Sequence, residues 1–145
     1  MGHLGQDTFA ELAELLTRAS WRLRNNERRA LAPHGLTFAQ ARALRVLVDL
    51  GPMRIGDLAA ALEIVPRSAT SRVDGLEEAG LVARSADPND RRSIVVAPTE
   101  QGRGLVARLT AERRASAATL FAPLSPVDKA ELLRLLGELT RDKEA

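Results

Sequence analysis

The sequence predicts a mainly helical, α+β fold: a helix-turn-helix followed by a two-stranded hairpin, flanked by long N- and C-terminal helices. Three observations lead there. Apolar residues recur at three- and four-residue steps over most of the 145 residues, the spacing of amphipathic helices. Two short helical stretches, near Ile55–Leu62 and from Pro66 to about Ala79, are joined by only Glu63, Ile64 and Val65, as in a helix-turn-helix. Finally, the β-branched runs "GLVARS" and "RSIVVAP" bracket the turn-forming "ADPND" at 86–90 and read as a hairpin.

Taken in order, Phe9, Leu12, Leu15, Leu16, Ala19, Leu23, Ala30 and Leu31 mark a first helix from Thr8 to about Leu31, stopped by Pro33 and Gly35. "TFAQ" at 37–40 is a capping box, Thr37 accepting from the backbone while Gln40 reaches back, and Ala41, Leu44, Leu47 and Val48 give the buried face. The following helix buries Ile55, Leu58, Ala59 and Leu62. Pro66 then suits a first helical position, where its missing N–H costs nothing. Ala69, Val73 and Leu76 form the inner stripe of that next helix, and Gly80 is its left-handed stop. Thr99 starts a fifth helix to about Leu120. "SPVD" at 125–128 caps a last one to about Arg141, striped by Leu132, Leu135, Leu136 and Leu139.

Composition narrows the chemistry. The chain has no Cys and two His, His3 and His34, which removes thiol nucleophiles and disulfides and argues against a zinc centre. His34 has Arg42 and Arg45 near it in sequence but no nucleophile, metal cluster or Gly-rich phosphate loop, so no enzyme and no cofactor are expected. "MGHLGQDTF" lacks the basic and apolar regions of a signal peptide, and no run of about 18 apolar residues occurs. A cytoplasmic protein without membrane attachment is the expectation. The net charge of +2 is weak, and between Arg54 and Arg103 seven Arg face eight Asp and Glu. Any nucleic-acid binding must rest on where charge is placed, not on its total.

Projected at about 100° per residue, 66–79 sets Arg67, Ser71 and Asp74 opposite the apolar stripe, with Ser68 and Gly75 beside them and Thr70 and Arg72 on the flanks. Short polar side chains near a helix N-terminus can approach base edges, while Arg67 can reach a guanine edge or a phosphate. Asp74, Glu77 and Glu78 occupy the other end. An ordinary solvated helix would carry the same residues, so this face alone does not decide. The hairpin does more: an arginine at its tip fits a minor groove of about 6 Å, too narrow for a helix. Alternation along the strand places Asp90 and Arg92 on one face and Arg91 on the other, so Asp90 can hold the Arg92 guanidinium while Arg91 takes a phosphate.

The segment Leu58 to Gly102 resembles the winged helix of the MarR (multiple antibiotic resistance regulator) family. The specific stretches are "LEEAGLV", leading into the first wing strand, and "DPNDRRSIVVAPTEQG", matching the family's Asp-x-Arg wing. The order of helices around it is similar over essentially the whole chain. The resemblance implies a homodimeric regulator, usually a repressor, released from palindromic double-stranded DNA by a small aromatic or amphipathic ligand. It also implies a single domain over 1–145, with 36–103 as the DNA-binding winged helix and 6–32 and 104–142 as dimerisation helices. On this carry-over Arg67, Ser68, Thr70, Ser71 and Arg72 belong to the recognition helix, and Asp90, Arg91 and Arg92 to the wing. Three positions depart from the family pattern: Glu63 where Gly is common, Val65 where a Ser or Asp cap is frequent, and Pro98 in place of Leu before Thr99.

The ends of the chain then find a use. Phe9, Leu12, Leu16, Leu132, Leu135, Leu136 and Leu139 are candidates for a two-fold interface, though packing on the fifth helix can absorb some of them. The family places an effector pocket between dimer helices and winged helix, which makes Trp21, His34, Phe38 and Arg42 candidate lining residues; a core or interface role for Trp21 fits equally. The alternative function is a protein-interaction module that uses the winged helix only as a scaffold.

Overall fold

The computed structural model describes residues 5–141. His3, and residue 142 at the end of the expected C-terminal segment, lie outside them. In chain order come α1 (Gln6–Leu31), a 3-10 turn (Ala32–His34), α2 (Phe38–Leu50), β1 (Met53–Arg54), α3 (Ile55–Leu62), α4 (Pro66–Glu78), β2 (Val82–Asp87), β3 (Asp90–Pro98), α5 (Glu100–Phe121) and α6 (Pro126–Thr140). The chain divides into two compact units, one of Arg24–Arg113 and one made of the two ends, up to Leu23 and from Arg114.

Helix starts follow the local chemistry. Thr37 Oγ1 accepts from Gln40 N at 3.1 Å and Gln40 Oε1 accepts from Thr37 N at 3.0 Å, closing the capping box of α2. Ser125 Oγ accepts from Asp128 N, and Thr99 Oγ1 from Gly102 N, both at 3.1 Å. α4 begins without a side-chain cap: the Val65 carbonyl accepts from Ser68 N and Ala69 N, and Pro66 leaves one fewer N–H to satisfy. The turn before it keeps a left-handed residue although no glycine is present, Glu63 standing at φ 55°. α4 ends as expected, with Gly80 at φ 74° and Leu81 N bonded to the Leu76 carbonyl at 2.9 Å, which turns the chain straight into β2.

The expected two-stranded hairpin is the larger part of a three-stranded antiparallel sheet in the order β1-β3-β2. Val82 pairs with Pro98 and Ser85 with Val95, while Arg54 of β1 takes the other side of Val95. The pairing is irregular between Ala86 and Asp87, at the wing tip. Inside the Arg24–Arg113 unit, Leu44, Leu47, Leu58, Leu62, Val73, Leu76, Val96 and Leu105 are buried in one core. Each buried leucine there contributes about 1.5–3 kcal/mol relative to exposure, so the core fixes α4 and the sheet against α2, α3 and the start of α5. In the other unit no described residue is buried. Phe9 is 63% exposed, Leu139 73%, and Leu12, Leu16 and Leu135 are exposed too, while Leu132 and Leu136 are half-buried.

Candidate nucleic-acid interface

Ala69, Val73 and Leu76 anchor α4 in the core, and the opposite face is polar. Arg67, Thr70 and Ser71 are exposed, Ser68 and Arg72 half-buried. The Thr70 hydroxyl donates to the Pro66 carbonyl at 3.1 Å, which steadies the first turn and leaves its lone pairs outward. Gly75, beside that face in projection, is where α4 meets α2. A Cβ there would overlap the Gln40 Nε2 and lie 3.4 Å from Gln40 Cδ, so the glycine lets α4 approach the capping side chain of α2.

The acidic end of α4 is turned onto β2. Arg84 Nη2 donates to Asp74 Oδ1 at 2.5 Å, Nη1 to Glu77 Oε1 at 3.0 Å, and the Arg84 backbone N to Glu77 Oε2 at 3.2 Å. Strand alternation accounts for this, because Arg84 follows buried Val82 by two residues and therefore faces the helix. That periodicity was readable in the sequence; the partners required the fold.

At the wing tip two aspartates organise the turn. Asp87 Oδ1 accepts from Asn89 N at 2.9 Å, while Asp87 Oδ2 accepts from Arg54 Nη2 at 2.8 Å and Nε at 3.2 Å. The Asn89 N–H, and after it the Arg54 guanidinium, hold the Asp87 carboxyl below the usual carboxylate range. Asp90 acts on Arg92, but through the main chain: its Oδ1 accepts from Arg92 N at 3.1 Å and its Oδ2 from Ser93 Oγ at 3.0 Å. The expected fork from Asp90 to the Arg92 guanidinium is therefore replaced by an Asx-type turn, which a short aspartate makes two residues ahead at little entropic cost. Asp90, Arg91 and Arg92 are all exposed. Neither wing guanidinium pairs with a carboxylate among the described residues. Arg54 and Arg84 are the residues the sequence reading passed over, since Arg54 finds Asp87 only through sheet formation and Arg84 finds Asp74 and Glu77 only where β2 packs on α4.

The four residues suggested for an effector are divided between the two units. Trp21 is 62% exposed in the unit of the chain ends, and His34 and Arg42 are exposed in the other unit. Phe38 lines a shallow depression of about 270 Å³ with Arg28, Leu31, Leu36 and Thr37, and the Arg28 guanidinium lies 5.9 Å from the centre of its ring. Among the described residues there is no His, Asp and Glu cluster fit for a metal ion, and no helix is long and apolar enough to cross a membrane.

Comparison with known proteins agrees with this geometry. The family model described as MarR family matches residues 36–94. The HTH-type transcriptional repressor Rv2887 of Mycobacterium tuberculosis is 34% identical over 139 residues, covering 96% of this chain and 100% of the relative. A MarR family protein from Bacillus stearothermophilus superposes with a TM-score of 0.76 at 26% identity, over 94% of this chain and 95% of that one. BpsR of Bordetella bronchiseptica, whose DNA binding is regulated by 6-hydroxynicotinic acid, does so with a TM-score of 0.67 at 26% identity, over 99% of both chains. A helix-turn-helix with a wing, in a chain that runs the full length of a repressor at this identity, belongs to the MarR family of DNA-binding transcriptional regulators and is not an enzyme.

Proposed function

We propose that this regulator is a homodimeric, sequence-specific repressor that binds a pseudo-palindromic operator and leaves it when a small aromatic or amphipathic ligand binds. In this reading α4 enters the major groove with Arg67, Ser68, Thr70, Ser71 and Arg72, and the wing brings Arg91 to a phosphate and Arg92 into the minor groove. Residues 36–103 bind DNA, while 6–32 and 104–142 dimerise. The observation that carries the reading is the polar outer face of α4 beside two wing guanidiniums that no described carboxylate engages. Arg92 is the stronger candidate of the two because Asp90 fixes its backbone.

The dimer follows from the exposed apolar side chains of the end helices, Phe9, Leu12, Leu16, Leu135 and Leu139, together with half-buried Leu132 and Leu136. A helix stripe of this kind gains stability only by covering itself, and a second copy supplies a self-complementary cover. A two-fold axis would set the two α4 helices roughly 34–36 Å apart, one turn of B-DNA, and so demand half-sites at that spacing. The ligand class is carried over from the aromatic acid that regulates BpsR. Phe38 is the residue at which to test it, with Trp21, His34 and Arg42 as the other candidates; Trp21, the only Trp, gives a fluorescence readout.

The test is DNA binding by the purified protein across a salt range, with and without Arg92→Ala. Affinity should fall steeply with salt, and the substitution should weaken operator binding about tenfold or more while helicity is kept. Unchanged affinity would sink the wing assignment. No retention of DNA even at low salt would favour a protein-interaction module instead.

A further inference from the structure

Resting on the reading of α4 as the groove helix, one feature of that helix is out of place. Asp74 shares the outer face with Arg67 and Ser71, and Glu77 stands one turn further on, so two of the three carboxylates of α4, with Glu78 the third, lie inside an element that must meet a polyanion. We infer that Arg84 is a positioning residue for DNA binding: it masks Asp74 and Glu77 and ties the C-terminal half of α4 to the wing sheet. Three hydrogen bonds run from this one residue to both carboxylates, two from the guanidinium and one from the backbone N–H.

The geometry suits arginine in particular. The planar guanidinium donates along separate directions and so spans carboxylates from two helical positions, whereas an ammonium offers one compact charge on a flexible stem. Arg84 is itself only 25% exposed, and it reaches the acids from the sheet side while Asp74 stays 62% exposed. Exposed ion pairs of this kind add little to folding stability. Their effect on a nearby phosphate is another matter: a bare carboxylate within a Debye length repels it, and a carboxylate that shares its charge with a guanidinium does so far less. Arg84 also joins recognition helix and wing, the two parts that must engage adjacent grooves together.

The experiment uses full-length protein and a duplex selected from a random pool by the wild type, with affinity read by fluorescence anisotropy over a range of KCl. Arg84→Gln should weaken binding about five- to tenfold. Adding Asp74→Asn and Glu77→Gln to it should restore affinity to within about twofold of wild type, because the charge needing a mask is gone. Arg84→Lys should fall between the two, and far-UV circular dichroism should be alike for all. If the triple variant stays as weak as Arg84→Gln and the salt slope drops by about one, Arg84 is itself a phosphate contact and the inference falls. Should Arg84→Gln fail to fold, the pair Asp74→Asn and Glu77→Gln with Arg84 intact decides: equal or tighter binding supports masking, and weaker binding overturns it by making the acids base contacts. Arg67→Ala and Ser71→Ala separate the two levels. If they too leave affinity unchanged, the reading of α4 as groove helix fails and takes Arg84 with it; if they weaken binding and Arg84→Gln does not, only the masking claim fails.

Discussion

Replacing Gly102 by alanine places a methyl group where the fold has no room for one. Gly102 is buried in the first turn of α5, and a Cβ there would overlap the Leu81 carbonyl oxygen, with the Leu81 carbonyl carbon at 3.1 Å and Leu44 Cδ1 at 3.3 Å. The carbonyl cannot simply step aside. It accepts from Thr99 N at 3.0 Å, and Leu81 N is held by the Leu76 carbonyl at 2.9 Å, so the chain is pinned on both sides of the clash. Thr99 is pinned in turn, its hydroxyl donating to the Gly80 carbonyl at 2.8 Å and accepting from Gly102 N. Relief therefore means losing the Thr99 to Leu81 bond, worth about 1 kcal/mol, or shifting α5 off the core at an overpacking cost of about 1–3 kcal/mol. Alanine's better helix propensity returns about 1 kcal/mol. Where α5 must shift the clash wins, and the net loss is up to about 2 kcal/mol, a sizeable part of the stability of a domain this size. Gly104→Ala, two residues along the same helix with nothing within 4 Å of its Cβ, should instead gain about 1 kcal/mol. Urea unfolding followed by far-UV circular dichroism, at one protomer concentration so that association does not shift the midpoint, compares the two. A midpoint for Gly102→Ala at or above wild type would refute the close approach of α5 to Leu81.

Glu63→Gly should stabilise by about 0.5–1 kcal/mol in the same assay, because glycine relieves the left-handed strain at φ 55° and gives part of it back as unfolded-chain entropy. Thr37→Ala should cost about 1 kcal/mol by opening the capping box with Gln40, read as a lower urea midpoint at unchanged slope. The anchoring of the wing should persist to low pH: the Asp87 carboxyl is held below its ordinary value by Asn89 N–H and Arg54, so its contribution is complete above the usual carboxylate range and fades as pH falls through the lowered value. An NMR titration of the Asn89 amide checks this, and a midpoint at or above that of an unperturbed aspartate would contradict it.

Most element boundaries were legible because their causes are local. Thr37 with Gln40, Ser125 with Asp128, Pro66 at a first helical turn and Gly80 after a last one each act within a few residues. β1 was not, since Met53 and Arg54 become a strand only by pairing with Val96 and Val95 far along the chain. The same distance hid the Arg54 to Asp87 bond. Asp90 was assigned the right neighbour and the wrong atom: alternation correctly put it beside Arg92, but an aspartate reaches the backbone N–H two residues on more readily than it reaches a long guanidinium. The contact at Gly75 was hidden because helical projection gives a direction without saying what stands there, and in the fold it is Gln40.

Charge shows what the fold adds to composition. The seven arginines and eight acids between Arg54 and Arg103 nearly cancel, and on that balance alone the segment is no better suited to a polyanion than to water. Folding sorts them. Arg54 is spent on Asp87 and Arg84 on Asp74 and Glu77, which withdraws two cations and three anions into internal pairs. Asp90 is withdrawn as well, onto the Arg92 N–H and the Ser93 hydroxyl. Arg67 and Arg72 remain on α4 and Arg91 and Arg92 on the wing, with no ion pair among the described residues. Four of the five cations left over thus gather on one helix and one strand end, Arg103 on α5 being the fifth, while four of the eight acids are already engaged. A neutral segment becomes able to bind phosphate without gaining a single charge, because electrostatic attraction at contact range depends on which charges are exposed together and not on their sum.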